Sequence, residues 1–191
     1  MANAPTVKML RNPYRHLISD NDFLIELQAM ATRRAEDVFQ RHQQGQYRRS
    51  SLGMCLLDPT LPLSVLSTNA VLALIAIGEE GESYLVNAIA KACEHRDFGL
   101  DCGVLAYIQP HRLSTGRFRF GHSACIDGTF VGSSAQLEIH DRYQSTLLGA
   151  DYNVTVSGLH EDWSAMHGGK WLSEDNQPDL EYSRIAALLR V

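Results

Sequence analysis

The chain has 191 residues, 45% of them hydrophobic and 20% charged, with a formal net charge of −5, the make-up of one ordinary folded domain. Its longest apolar run, Ala70 to Gly78, falls well short of the roughly 20 residues of a membrane span. A pI of 5.9 with no basic stripe argues against nucleic acid as a partner.

The four cysteines, Cys55, Cys93, Cys102 and Cys125, are scattered and form no CxxC pair. The opening residues also lack a secretory apolar stretch, so free thiols in a reducing, cytoplasmic setting are expected. Charge is uneven: residues 1–50 carry eight Lys/Arg against five Asp/Glu, and the remainder nine against seventeen. A basic first helix lying on an acidic body accounts for that, and so does pairing between copies.

In chain order, Ser19-Asp20-Asn21-Asp22 is a helix start. Phe23, Leu24, Leu27, Met30, Ala31, Val38 and Phe39 then recur at helical spacing, with Arg33, Arg34, Asp37 and Arg41 opposite. Leu52 to Leu57 is a short apolar run stopped by Asp58-Pro59, the pattern of a strand. Ala70 to Ile77 is expected as a second helix capped by Ser67 or Thr68. Glu82 to His95 is expected as a third, with Cys93 a packed thiol on its apolar face. Val104 to Gln109, apolar on both faces, is expected as a central strand ended by Pro110.

Asp127-Gly128 is the dipeptide that a type I′ hairpin turn prefers. A turn there pairs Ile126 with Thr129, Ala124 with Val131, His122 with Ser133, Phe120 with Ala135 and Phe118 with Leu137, a largely apolar face. Arg117 then opposes Glu138 on the other face. This register predicts that His122 points toward the core, beside Ser133 and small neighbours that leave room for a cavity. Ala150 to Ser157 alternates and is expected as a last strand. Residues 158–178 are expected as a long loop acting as a lid, bearing Trp163 and Trp171. A final helix carries Leu180, Ile185, Leu188 and Leu189.

The elements therefore predict one α+β domain over 1–191: an antiparallel β-sheet of about five strands packed by helices, in the order α-β-α-α-β-β-β-β-α. In outline this resembles sensor-like and profilin-like sheets, and no residue motif carries a family assignment. No HExxH, GxSxG, GxGxxG or GxxxxGK[ST] occurs, and His160 and His167 are wrongly spaced for one helical metal site, so no metal is expected.

The leading functional expectation is a cytoplasmic, self-associating ligand-binding or regulatory module. Its small molecule would sit near His122 and Ser133 under Trp163 and Trp171. The alternative is a cysteine/histidine-dependent hydrolase or amidase using Cys102 with His122 or His111, in which an imidazole draws off the thiol proton. A second alternative is a structural or docking subunit.

Overall fold

The structure, a computed structural model, describes residues 4–112, 121–167, 184 and 186–188. Helix α1 (Asp20–Gln43) starts where the sequence puts it: the Ser19 hydroxyl accepts the Asp22 amide at 3.2 Å. It buries Phe23, Leu27, Met30, Ala31, Ala35 and Val38, one stripe at three- and four-residue intervals.

Five strands, β1 (Thr6–Met9), β2 (Leu52–Leu57), β3 (Val71–Ile77), β4 (Ala124–Ile126) and β5 (Thr129–Ser134), form one sheet in the order β1-β3-β2-β5-β4. Every neighbouring pair is antiparallel. Helix α2 (Leu85–Phe98) covers one face. On the other face lie α1 and the long α4 (Glu138–His167), whose Leu148 and Tyr152 join the main core. The short α3 (Cys102–Ile108) follows α2. The fold is the expected α+β arrangement with a five-stranded antiparallel sheet.

Small residues on the sheet prove to be points of close packing rather than the walls of a cavity. A Cβ on Gly132 would lie 2.1 Å from the Ala88 carbonyl oxygen of α2, and one on Gly53 2.8 Å from the Leu85 amide nitrogen. Only a bare backbone lets the helix settle this low.

Three segments differ from expectation. Val71–Ile77 is a strand, not a helix. It is covered on both faces, so every position is apolar and periodicity alone cannot separate the two forms. Residues 104–109, expected as a strand, lie mostly in α3, capped by the Asp101 carboxylate, which accepts the Gly103 amide at 2.9 Å. The alternating stretch 150–157 lies inside α4: Tyr152 is buried, Val156 packs partly against the core, and Val154 is 73% exposed. Apolar residues at i, i+2 and i+4 suit a strand, but the helix uses only the i, i+4 pair.

Residues 158–167 of the expected loop also continue α4. The rest of that loop, to residue 178, lies outside the described residues, as does most of the expected C-terminal helix. Among the described residues no helix is long and apolar enough to cross a membrane.

The hairpin turn forms as predicted. Asp127 and Gly128 have φ of 47° and 84°, and Ile126 pairs with Thr129 and Ala124 with Val131. The ladder ends at Ala124, however. Ser133 pairs with Met54 of β2 on its other side, and Leu137 and Glu138 fall beyond β5, with Glu138 opening α4. The pairs assigned to Arg117, Phe118 and Phe120 lie outside the described residues. The cations of α1 are used within the chain: Arg33 and Arg34 reach Asp151 of α4 at 3.3 and 3.6 Å, and Arg34, expected on the solvent side, is buried. That contact lays the basic face of α1 on an acidic residue of α4.

Candidate functional site

Where α2 ends and β4 begins, three short segments converge on the carboxylate of Asp101. It caps α3 through Oδ1, and its Oδ2 accepts the amides of His122 (2.7 Å) and Ser123 (2.6 Å) and the Ser123 hydroxyl (2.8 Å). Burial pushes the Asp101 carboxyl up. The hydrogen bonds from His122, Ser123 and Gly103 together outweigh it and hold the group below the usual carboxylate range.

This clasp fixes an unusual backbone. Gly121 crosses Gly103 so closely that a Cβ would sit 2.1 Å from the Gly103 nitrogen. His122 follows with φ of 74°, in the left-handed region. A side chain there costs roughly 1–2 kcal/mol, and the conformation persists because Asp101 holds the amides on both sides of the His122 carbonyl.

The expected geometry of His122 is corrected accordingly. Its ring does not enter the core beside Ser133. It is 27% exposed, with Nε2 3.1 Å from Glu138 Oε2 and Nδ1 3.9 Å from Asp101 Oδ1. A carboxylate only accepts, so Nε2 carries a proton toward Glu138. The alternation argument fails because β4 begins only at Ala124, two residues after His122, and the left-handed turn re-aims the side chain.

Behind this ring lies a buried chain of serine, histidine and aspartate: His95 Nδ1 is 2.8 Å from Ser123 Oγ, which is bonded to Asp101. Ser123 must donate to the carboxylate, so it accepts from the His95 Nδ1 proton. A nucleophilic triad needs the opposite order, with the imidazole drawing a proton from the serine. Burial lowers the His95 pKa, Asp101 opposes this and Arg142 adds to it, so the neutral ring is the stable form. Ser123 is 2% exposed and out of reach of a substrate. This chain is a structural support.

In front of His122 the surface opens into a concavity of about 720 Å³. Among the described residues it is lined by His122, Gln136, Leu137, Glu138, Ile139 and Arg142. Leu137 and Ile139 are 40% and 70% exposed. Among the described residues the Arg142 side chain has no hydrogen-bond or ion-pair partner. Gln136 is locked to the neighbouring loop, its amide nitrogen reaching the carbonyls of Arg49 (2.9 Å) and Ser51 (3.0 Å).

The other residues singled out from sequence are not gathered here. Ser133 is fully buried and bonds to the Asp141 carbonyl and to Ser145 Oγ, between sheet and α4. Trp163 belongs to the same helix as Glu138, about 37 Å further along at the helical rise, and its neighbour His167 stacks on it at 4.5 Å. Trp171 lies outside the described residues. His111 sits in the turn Pro110–Arg112 at the far end of α3, whereas Cys102 opens that helix. The backbone does bring Cys102 close to His122, since a Cβ on adjacent Gly103 would be 3.1 Å from His122 Cε1.

Cys55 and Cys93 are buried packed thiols. Burial raises Cys55 well above an ordinary thiol and Cys93 to about 11. Among the described residues no three ligating side chains could hold a metal ion. No family model matches the chain, and neither a curated protein nor a solved structure matches it.

Sequence reasoning missed Asp101, His95, Ser123, Glu138 and Arg142. Asp101 did carry a signal: an aspartate two residues before a glycine is a helix cap once the next segment is taken as a helix. Taking it as a strand hid that.

Proposed function

We propose that the protein is a small ligand-binding module whose ligand occupies the cleft in front of His122. The observation that carries this reading is the conformation of His122 itself. A histidine is held in a left-handed backbone by a buried aspartate, and its partly exposed ring is oriented by Glu138 at the lip of a concavity of about 720 Å³. Backbone strain over-determined by its surroundings is characteristic of residues that serve a function. The volume falls in the range of small-molecule sites.

The test is a fragment screen read by amide chemical shifts, run on the wild type and on His122→Ala. Hits should perturb residues 121–123 and 136–142 and be lost in the variant. A screen with no perturbation there, or hits indifferent to the substitution, contradicts the reading.

A second reading is supported by the approach of Gly103 to the His122 ring: a thiol chemistry of Cys102 assisted by His122. It predicts fast alkylation of Cys102 by iodoacetamide near neutral pH, slowed at least about tenfold in His122→Ala. Alkylation as slow as that of an ordinary thiol, or unchanged in the variant, removes it. The docking-subunit reading gains no open basic face from Arg33 and Arg34, both of which meet Asp151. Arg34 is buried against α4, and its reversal would unseat the helix pair.

A further inference from the structure

The cleft carries a charge that its own helix leaves unmatched. Glu138 and Arg142 stand four residues apart at the start of α4, the spacing and order in which such a pair ordinarily closes on itself. Here Glu138 turns to the His122 imidazole at 3.1 Å. Among the described residues the Arg142 side chain makes no hydrogen bond or ion pair; it lies one helical turn from Glu138 and beside the exposed side chains of Leu137 and Ile139. Lys91 and Arg49, the cations on the adjoining surface, are already engaged. Lys91 is buried on Asp141 at 2.7 Å, and Arg49 donates to the Ala135 carbonyl at 2.9 Å. A guanidinium next to exposed apolar side chains is complementary to a molecule with one negative end and one apolar end.

Resting on the reading of the cleft as a binding site, we infer that its ligand is an amphipathic monocarboxylate, with the carboxylate on Arg142 and the apolar part against Leu137 and Ile139. Glu138 is the like charge such a ligand must pass, and its hydrogen bond to His122 turns it away from Arg142. The inference has an internal sign: removing Arg142 weakens binding, and neutralising Glu138 strengthens it.

The experiment titrates the full chain with 4-phenylbutyrate, 4-phenylbutanamide and 4-phenylbutylamine, following amide shifts of residues 136–142. The acid should bind at least about tenfold more tightly than the amide, and the amine more weakly than either. Arg142→Gln should remove that preference, and Glu138→Gln should increase affinity for the acid. Equal binding of acid and amide, or tighter binding of the amine, overturns the inference while leaving the cleft a binding site. No perturbation by any of the three also overturns it, whereas the cleft itself is lost only if the fragment screen is blank as well. Both variants carry exposed substitutions, and a wild-type amide spectrum away from the cleft shows that they are folded.

Discussion

Two buried carboxylates, Asp141 in the first turn of α4 and Asp101 at the cap of α3, do different work. Asp141 faces a cation: Lys91 donates to its Oδ2 at 2.7 Å and to the Ser133 carbonyl at 3.0 Å, while Oδ1 takes the Gln136 amide. Asp101 is held by hydrogen bonds from three amides and a hydroxyl. Burial raises the Asp141 carboxyl, with Lys91 offsetting part of the effect, whereas the donors around Asp101 prevail over burial and lower it. The first site joins α2, the sheet and α4. The second sets one loop conformation and, through it, the direction of one imidazole. One secures the fold and the other shapes the cleft.

Substitutions should separate the two. Lys91→Ala leaves the Asp141 charge buried without its partner and should cost about 3–5 kcal/mol by denaturant unfolding. The apolar replacement Lys91→Met/Asp141→Leu should recover most of that loss, which would show that the pair secures specificity more than net stability. Asp101→Ala removes a helix cap and strands several donors. It should cost about 3 kcal/mol and, unlike the Lys91 variant, abolish ligand-induced shifts in the cleft at conditions where the protein remains folded.

Substituting His122 isolates the strain. His122→Gly should be about 1 kcal/mol more stable than His122→Ala, because only glycine adopts φ of 74° freely. Equal stabilities would mean that the left-handed backbone carries no cost.

The smallest effect is in pH. Asp101 has a lowered folded-state pKa, so its stabilisation is complete above the unfolded value of roughly 4 and is lost as pH falls through the folded value. Asp141 has the opposite sign: its contribution is complete below the unfolded value and declines as pH rises through the raised one. The penalty of Asp101→Asn should therefore shrink on acidification below about pH 4, while that of Asp141→Asn should grow as pH falls toward about 4 and level off below it, read from urea midpoints at a series of pH values.

Much of the scaffold was legible where local chemistry is decisive. The Ser19 cap, the strand Leu52–Leu57 and the Asp127-Gly128 turn follow from one or two residues each. Long apolar runs were not legible in the same way. Val-Leu-Ala-Leu-Ile-Ala-Ile suits a buried helix as well as a strand covered on both faces, and the choice is made by α1 and α2, which cover it. The site was half legible. His122 stood out as a polar residue beside a hairpin, but its direction depends on where the ladder stops. That is set by Asp101, distant in sequence and hidden at the cap of a helix that alternation disguised. Glu138 was assigned to a cross-strand pair because the register was carried past the true end of β5.

The most direct test of the central claim is amide hydrogen exchange at His122 and Ser123 in the wild-type chain. Both lie outside any strand, and both amides donate to the Asp101 carboxylate at under 3 Å. Protection close to that of Val131 in the buried strand is the predicted result. Exchange at the rate of an unstructured loop would mean that the clasp does not hold and that the imidazole is not fixed at the cleft.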